Sequence, residues 1–199
     1  MARRLEFDRE KAVEIAMNQF WKNGFEASSV KSLSQAFGIT RSSFYNAFGS
    51  HEALFEEALA LYFEQSPDQA LARAEKGVAI KKLITRTFRA ACKARASDSQ
   101  ARGCMAVNGV AELCNVNDNL GGVLENIILG SLGRIEQLLR WGVAQGEIDK
   151  GADIHALALA VQNLLMGLNV MCKVVRDERE LRKSAEITLK GLGLFDEKI

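Results

Sequence analysis

The stretch SVKSLSQAFGITRSSFYNAF, residues 29–48, decides how this chain is read. It holds two helix-sized segments, each opened by a hydroxyl residue suited to accept from a nearby backbone N–H: Ser29, preceded by Ser28, and Thr40. Gly38 stands between them, where a helix ends in a left-handed residue, and Gly49 closes the second. A helix-turn-helix reads DNA only if its second helix is held rigidly on one side and left free on the other. At about 100° per residue, Phe44 and Phe48 point one way, into a core with Val30, Leu33 and Ile39, whereas Ser42 and Asn46 point the opposite way. Ser43 and Tyr45 flank that outer face, and Arg41 sits at the helix N-terminus, so it carries small donors and acceptors suited to base edges and phosphates. From Ser28 to Ser50 there is no acidic residue, while seven serines, Lys31 and Arg41 occur. Nothing there repels phosphate, and hydroxyl donors are plentiful. The bland reading of the same residues is a helical hairpin with a solvated polar face.

Outward from this segment the pattern stays helical. Apolar residues make up 48% of the 199 positions, 26% are charged, and Pro67 is the one proline, a composition suited to a soluble, mostly helical protein. The formal charge of +1 is far from a polybasic nucleic-acid binder, so DNA contact must be local. Cys92, Cys104, Cys114 and Cys172 are scattered, without a C-x-x-C pair or a histidine cluster, so neither a zinc site nor a disulfide framework is indicated. No metal or cofactor is expected, and a reducing cytoplasm fits. The start, Met-Ala-Arg-Arg-Leu-Glu-Phe-Asp, lacks the apolar core of a secretory signal. Ile154 to Cys172 contains no Asp, Glu, Lys or Arg and is just long enough for a bilayer, but His155, Gln162, Asn163 and Asn169 favour a buried interface helix.

Helix punctuation is legible along the chain. A first helix begins at Asp8 and stops at Asn23-Gly24, and Ser50 with His51-Glu52 opens a fourth. Ser66-Pro67-Asp68-Gln69 reads as a fresh helix start with serine as cap and proline in the first turn. Further helices are expected over about 78–96, 104–114, 120–146, 153–175 and 177–192.

The run Phe20, Gly24, Phe25, Ser29, Val30, Leu33, Gly38, Ile39, Ser43, Phe44, Tyr45, Phe48, Ser50, Glu52 and Leu54 resembles the N-terminal signature of the TetR family of transcription repressors. The resemblance implies an all-α fold, a three-helix DNA-binding head (1–50) on a larger helical ligand-binding and dimerisation body (51–199). It also implies a homodimeric repressor that leaves a palindromic double-stranded DNA operator when a small-molecule effector enters the body. By the same resemblance Ser29, Lys31, Thr40, Arg41, Ser42, Ser43, Tyr45 and Asn46 fall at DNA-contacting positions, with Tyr45 on a phosphate. Where many members carry lysine at the start of the fourth helix, His51 stands here, so that phosphate contact is expected to be weaker or pH-dependent.

For the body, Phe88, Cys104, Met105, Asn108, Glu112, Trp141, Asn163 and Met166 are the candidates to line a mostly apolar pocket, each with ordinary core packing as its alternative. Cys104 follows Arg102-Gly103 at a helix start, where the dipole and a cation favour a thiolate, so a thiol sensor of oxidants or electrophiles stays open. The last two long helices, with small residues Ala156, Ala158, Ala160 and Gly167, suit a homodimer interface, as the resemblance also implies. An enzyme is not expected: no nucleophile-elbow, zinc or phosphate-loop motif occurs. A helical adaptor whose head does not bind DNA remains the other alternative.

Overall fold

Each helix of the N-terminal unit is started by its own side chain. In the computed structural model, which describes residues 7–199, α1 (Arg9–Asn23) begins where Asp8 accepts from Lys11 N, α2 (Val30–Phe37) where Ser29 accepts from Ser32 N, and α3 (Arg41–Phe48) where Thr40 accepts from Ser43 N. Ser50 does the same for α4 (His51–Gln65), accepting from Ala53 N. Gly38 ends α2 at φ 70°, a left-handed conformation that costs any side-chain-bearing residue free energy. The reading of the extreme N-terminus rests on residues 1–6, which lie outside the described residues.

Ten helices occur among the described residues. After α4 come the four-residue α5 (Gln69–Ala72), then α6 (Ile80–Ser97), α7 (Met105–Leu113), α8 (Asp118–Ala144), α9 (Ile154–Met171) and α10 (Glu178–Gly191). The expected helix start at Ser66-Pro67-Asp68-Gln69 is met by the single turn of α5: Ser66 closes α4 and its Oγ accepts Asp68 N at 3.5 Å, while Asp68, which precedes α5, makes no side-chain cap bond. Ser66 N still closes a bond onto Phe63 O, so the chain ends one helix there before a single turn of another. Ile154–Met171 is long and apolar enough by composition to cross a membrane. Here it packs against α8 and α10, with Val161, Leu165 and Leu168 in the core.

Two apolar cores result. The first joins α1–α4 to α7 and the start of α8, through Phe20, Leu33, Phe44, Phe55, Leu113 and Leu124. The second joins α6, the later part of α8, α9 and α10, through Ile84, Phe88, Leu138, Val161 and Leu189. The head's core therefore does not stop at residue 50 but runs through α4 into α7.

Candidate nucleic-acid interface and effector cavity

The anchor side of α3 is aromatic. Phe44 and Phe48 are buried, Phe44 lies parallel to Phe37 at 6.3 Å between ring centroids, and Phe44 and Phe48 are 5.3 Å apart. Leu33 is buried beside them, with Val30, Phe37 and Ile39 partly so. Burying one such ring contributes about 1.5–3 kcal/mol, so the helix is fixed in orientation by side chains that never face solvent. Arg9 reinforces this from α1: its guanidinium lies 5.2 Å from the Phe48 ring, donates to Ala47 O and pairs with Glu57.

The opposite side is exposed. Arg41, Ser42, Ser43, Tyr45 and Asn46 all face solvent, as do Ser29, Lys31 and Thr40. These eight residues divide by what their side chains already do. Ser29 and Thr40 accept helix N–H groups at 3.2 and 3.1 Å, and the Thr40 and Ser43 hydroxyls are paired at 2.9 Å. Arg41, Ser42, Asn46 and Lys31 make no side-chain hydrogen bond among the described residues, and Tyr45 is 51% exposed with its ring set edge-on to Phe44.

His51 is placed differently from the expectation of a phosphate contact. Its ring stacks on Phe25 at 4.2 Å and lies 5.4 Å from Phe20, and its Nε2 is 2.7 Å from Ser28 O. As an Nε2–H donor it ties the α1–α2 turn to α4, so the ring belongs to the packing of the head and not to its outer face.

That same turn is gripped from the body. The Glu112 carboxylate, on α7, accepts Phe25 N and Glu26 N, both at 3.0 Å. The grip needs Gly24: φ is +87°, and a Cβ there would sit 2.7 Å from Glu112 Oε2. At the other end of α7, Trp21 Nε1 donates to Gly103 O at 3.1 Å, and the Arg102 guanidinium lies 3.7 Å from the centre of the Trp21 ring. Arg102 is held in turn by Asp98 and by Asn18 Oδ1. Both ends of α7 thus bear on α1 and the turn that follows it.

A cavity of about 360 Å³ opens beside the first turns of α7. Its wall is mostly apolar, with Phe63, Leu71, Val107, Ile127, Ile135 and Leu165, and carries Asp68, Gln69, Asn126, Arg134 and Gln162 as polar groups. Of the eight pocket candidates, Cys104 and Met166 line it. Phe88 is 1% exposed in the second core, and Met105 is 1% exposed within the first; both are packing residues. Asn108 donates to Arg102 O, Glu112 holds the head's turn, and Trp141 packs against the second core beneath Arg134. Asn163 lies in a separate surface groove between α9 and α10. The apolar-with-anchors pattern fits core and joint as well as it fits a pocket wall, which is why six of these candidates lie outside this cavity.

Sequence reasoning missed the polar end of this region. Arg95, 4% exposed, donates to Asn169 Oδ1 and, at 2.9 Å, to Tyr62 OH. Burial pushes the Tyr62 hydroxyl well above its ordinary range, with Cys104 adding to the effect and Arg95 opposing it. Asp68 faces the same cation: burial raises its carboxyl, and Arg95 works against that rise. Arg95 lies about four turns into α6, in its last turn. An arginine in an otherwise apolar face, Ala91, Cys92, Arg95, was the available signal.

Residues 13–58 match the family model for bacterial regulatory proteins of the tetR family, and residues 80–188 match that for the tetracyclin repressor-like C-terminal domain. The chain belongs to the TetR family. It is a transcriptional regulator of the all-helical TetR fold, with a helix-turn-helix head on a helical body. Among the relatives of this chain, the uncharacterized HTH-type transcriptional regulator YezE of Bacillus subtilis (strain 168) is 26% identical over 197 residues, 96% of this chain and all of its own. The HTH-type transcriptional repressor ComR of Escherichia coli (strain K12) is 26% identical over 187 residues, 92% of this chain and 88% of its own. A cysteine-substituted CifR, solved in complex with a 26-bp double-strand operator DNA, superposes with a TM-score of 0.83 at 29% identity, covering 95% of this chain and 98% of that one. The reduced form of NemR from E. coli shares the fold, with a TM-score of 0.76 at 18% identity over 92% and 96% of the two chains.

Proposed function

We propose that this TetR-family chain is a homodimeric repressor whose two heads read a palindromic operator and release it when a small, mainly apolar molecule enters the cavity beside α7. The observation that carries the reading is the outer face of α3: exposed, free of acidic residues, and anchored from behind by Phe44 and Phe48. Arg41, Ser42 and Asn46 face the groove, Tyr45 and Lys31 meet phosphate, and Ser29, Thr40 and Ser43 present helix N-termini to the backbone of the duplex. CifR, a relative of this chain, was solved on operator DNA, which supports the same use of the head here. The protein binds rather than transforms its ligand, and a cytoplasmic setting goes with that role.

Dimerisation is assigned to α9 and α10. Leu159, Val170 and Met171 on α9 and Ile187 on α10 are exposed apolar residues on those helices, with Val174 in the turn between them, and an exposed apolar surface of that extent favours a partner helix pair. Release then needs a path from cavity to head. Helix α7 supplies one: its first turns line the cavity through Ala106 and Val107, and its last turn holds the α1–α2 turn through Glu112. A ligand that fits one α7 position better than another shifts the head by that difference in affinity. Cys104 is buried in the cavity wall and meets only what enters it, which supports a packing role over reaction with oxidants in solvent.

Selection of bound sequences from random duplex DNA tests the reading. A palindromic consensus is expected, and no enrichment would overturn it. On that consensus Tyr45→Phe weakens all sites about equally, while Asn46→Ala changes preference at a few base pairs; the reverse pattern would mean that α3 meets the groove through a different face.

A further inference from the structure

The cavity contains one feature that its apolar lining does not explain. Asp68 lines the cavity, and its Oδ1, closed off just behind the wall, has no hydrogen-bond partner among the described residues. Asp68 as a whole is half-buried; it is this one oxygen that is closed off. An unsatisfied buried acceptor is costly, more so when charged, and calls for an explanation. Of the other polar groups in the wall, Arg134, Ser131 and Gln162 are already engaged, whereas Gln69 and Asn126, both at least partly open to solvent, are not buried acceptors of this kind. Arg134 donates through Nε to Leu71 O at 3.0 Å and through its two terminal nitrogens to Ala74 O and Gln137 Oε1, and Ser131 donates to Gln162 Oε1 at 3.0 Å.

Charge restricts what meets that acceptor. Two guanidinium groups flank the region, Arg134 in the wall and Arg95 close behind Asp68, against the single carboxyl of Asp68. An ammonium ligand would face two cations. A carboxylate ligand would set a second anion against an unpaired carboxyl oxygen in an apolar enclosure, where like charges are least screened. A neutral molecule avoids both penalties, and the lining of Phe63, Leu71, Ile127, Ile135, Leu165 and Met166 offers its body an apolar seat.

We infer that the effector is a small uncharged molecule with an apolar body and one hydroxyl-type donor, and that this donor hydrogen-bonds Asp68 Oδ1. The inference rests on the reading of the chain as a ligand-released repressor, and names the chemistry of its ligand. Asp68 selects as well as binds. An isomer with the same apolar area but no donor leaves the acceptor unpaired, which is the situation in which a polar site discriminates most strongly.

The test uses two isomers of equal size, 1-heptanol and hexyl methyl ether, with heptylamine and heptanoate as charged counterparts, on the full-length protein. Binding is read by thermal shift and by calorimetry. The alcohol is expected to bind roughly ten- to hundredfold more tightly than the ether, the range spanned by one hydrogen bond to a charged group, and both ions to bind more weakly than the alcohol. In Asp68→Leu the order of alcohol and ether is expected to reverse. Replacing a buried, imperfectly paired carboxyl by an apolar residue is often neutral or stabilising, so this variant should melt cooperatively. Should it not, Asp68→Asn carries the same comparison, with the alcohol's advantage reduced several-fold. Equal binding of alcohol and ether to the wild type, tighter binding of either ion, or an unchanged preference in the variants would overturn the inference. Operator release is measured separately. Alcohol that binds through Asp68 without releasing DNA would leave the site standing and remove the ligand-release reading, whereas release by alcohol that is indifferent to Asp68 would do the opposite.

Discussion

Phe44 in the head and Phe88 in the body are equally buried, at 0% and 1% exposure, yet the helices that carry them are started by different means. Helix α3 is capped by Thr40, its own preceding residue. Helix α6 follows Ala79, which has no side-chain acceptor; the Glu147 carboxylate accepts Ile80 N at 2.9 Å and Lys81 N at 3.0 Å from beyond the end of α8. Helix α7 also starts without a side-chain cap, after Cys104. Head helices are therefore determined by their own sequence, and two body helices by closure of the fold around them. A head specified locally keeps the shape of its DNA-facing surface while the body changes around a ligand.

The largest expected effects test whether the two cores are separable. Phe44→Ala and Phe88→Ala each leave a cavity the size of a phenyl ring and should cost about 3–5 kcal/mol in chemical denaturation. Well below their melting temperatures the two variants should part: Phe44→Ala loses binding to the selected duplex because α3 is no longer held, while Phe88→Ala keeps it. Equal loss of DNA binding by a still-helical Phe88→Ala would mean that head and body fold as one unit.

A smaller difference comes from the caps themselves. Glu147→Ala removes two charge-assisted bonds at a half-buried site and should cost about 2 kcal/mol, against about 1 kcal/mol for Thr40→Ala. Urea unfolding of both variants checks the order. If Thr40→Ala cost more, the head would depend on its caps more than on its aromatic packing.

This contrast also explains how much could be read in advance. Ser29, Thr40, Ser50, Gly38 and the Phe44/Phe48 spacing act within one or two turns, so the head and the exposed face of α3 were legible from residues a few positions apart. Contacts that cross the chain were not: Glu112 to Phe25, Arg95 to Tyr62 and Glu147 to Ile80 join residues far apart in sequence, and no periodicity marks them. Ser66-Pro67-Asp68-Gln69 has every local mark of a helix start, and a helix does start at Gln69, but it lasts one turn, because Ser66 is buried at the end of α4 and Asp68 and Gln69 line the cavity. His51 looked like a surface variant of a phosphate-binding position because its partners Phe25 and Ser28 O come from the preceding turn.

Glu112→Gln addresses the joint between the regions. The amide keeps one acceptor and sets an NH2 group against a backbone N–H, so a loss of about 1–2 kcal/mol is expected. Its diagnostic effect lies elsewhere: ligand binding to the cavity should be retained while the ligand-induced change in DNA affinity shrinks, because α7 no longer holds the α1–α2 turn. Full retention of that coupling would place the transmission outside α7.

The smallest expected effect concerns the other end of α7 and depends on pH. Burial opposes ionisation of Asp98, but the Arg102 N–H, the Arg102 guanidinium and the Gln100 N–H outweigh it and hold its carboxyl below the ordinary aspartate value. A carboxyl lowered by folding contributes stability that is fully present above its unfolded value and is lost as pH falls through its folded one. At neutral pH, then, Asp98 fixes Arg102 over Trp21, and the joint loosens only as pH falls below the ordinary carboxylate range. In a Trp141→Phe background, Trp21 fluorescence should report this as a shift confined to that acidic range, accompanied by a small fall in melting temperature. Asp98→Asn should remove the pH dependence and show the loosened signal already at neutral pH. A Trp21 signal with the same acid transition in both proteins would assign the change to other carboxyls and leave Arg102 held by Asn18 Oδ1 and the indole face alone.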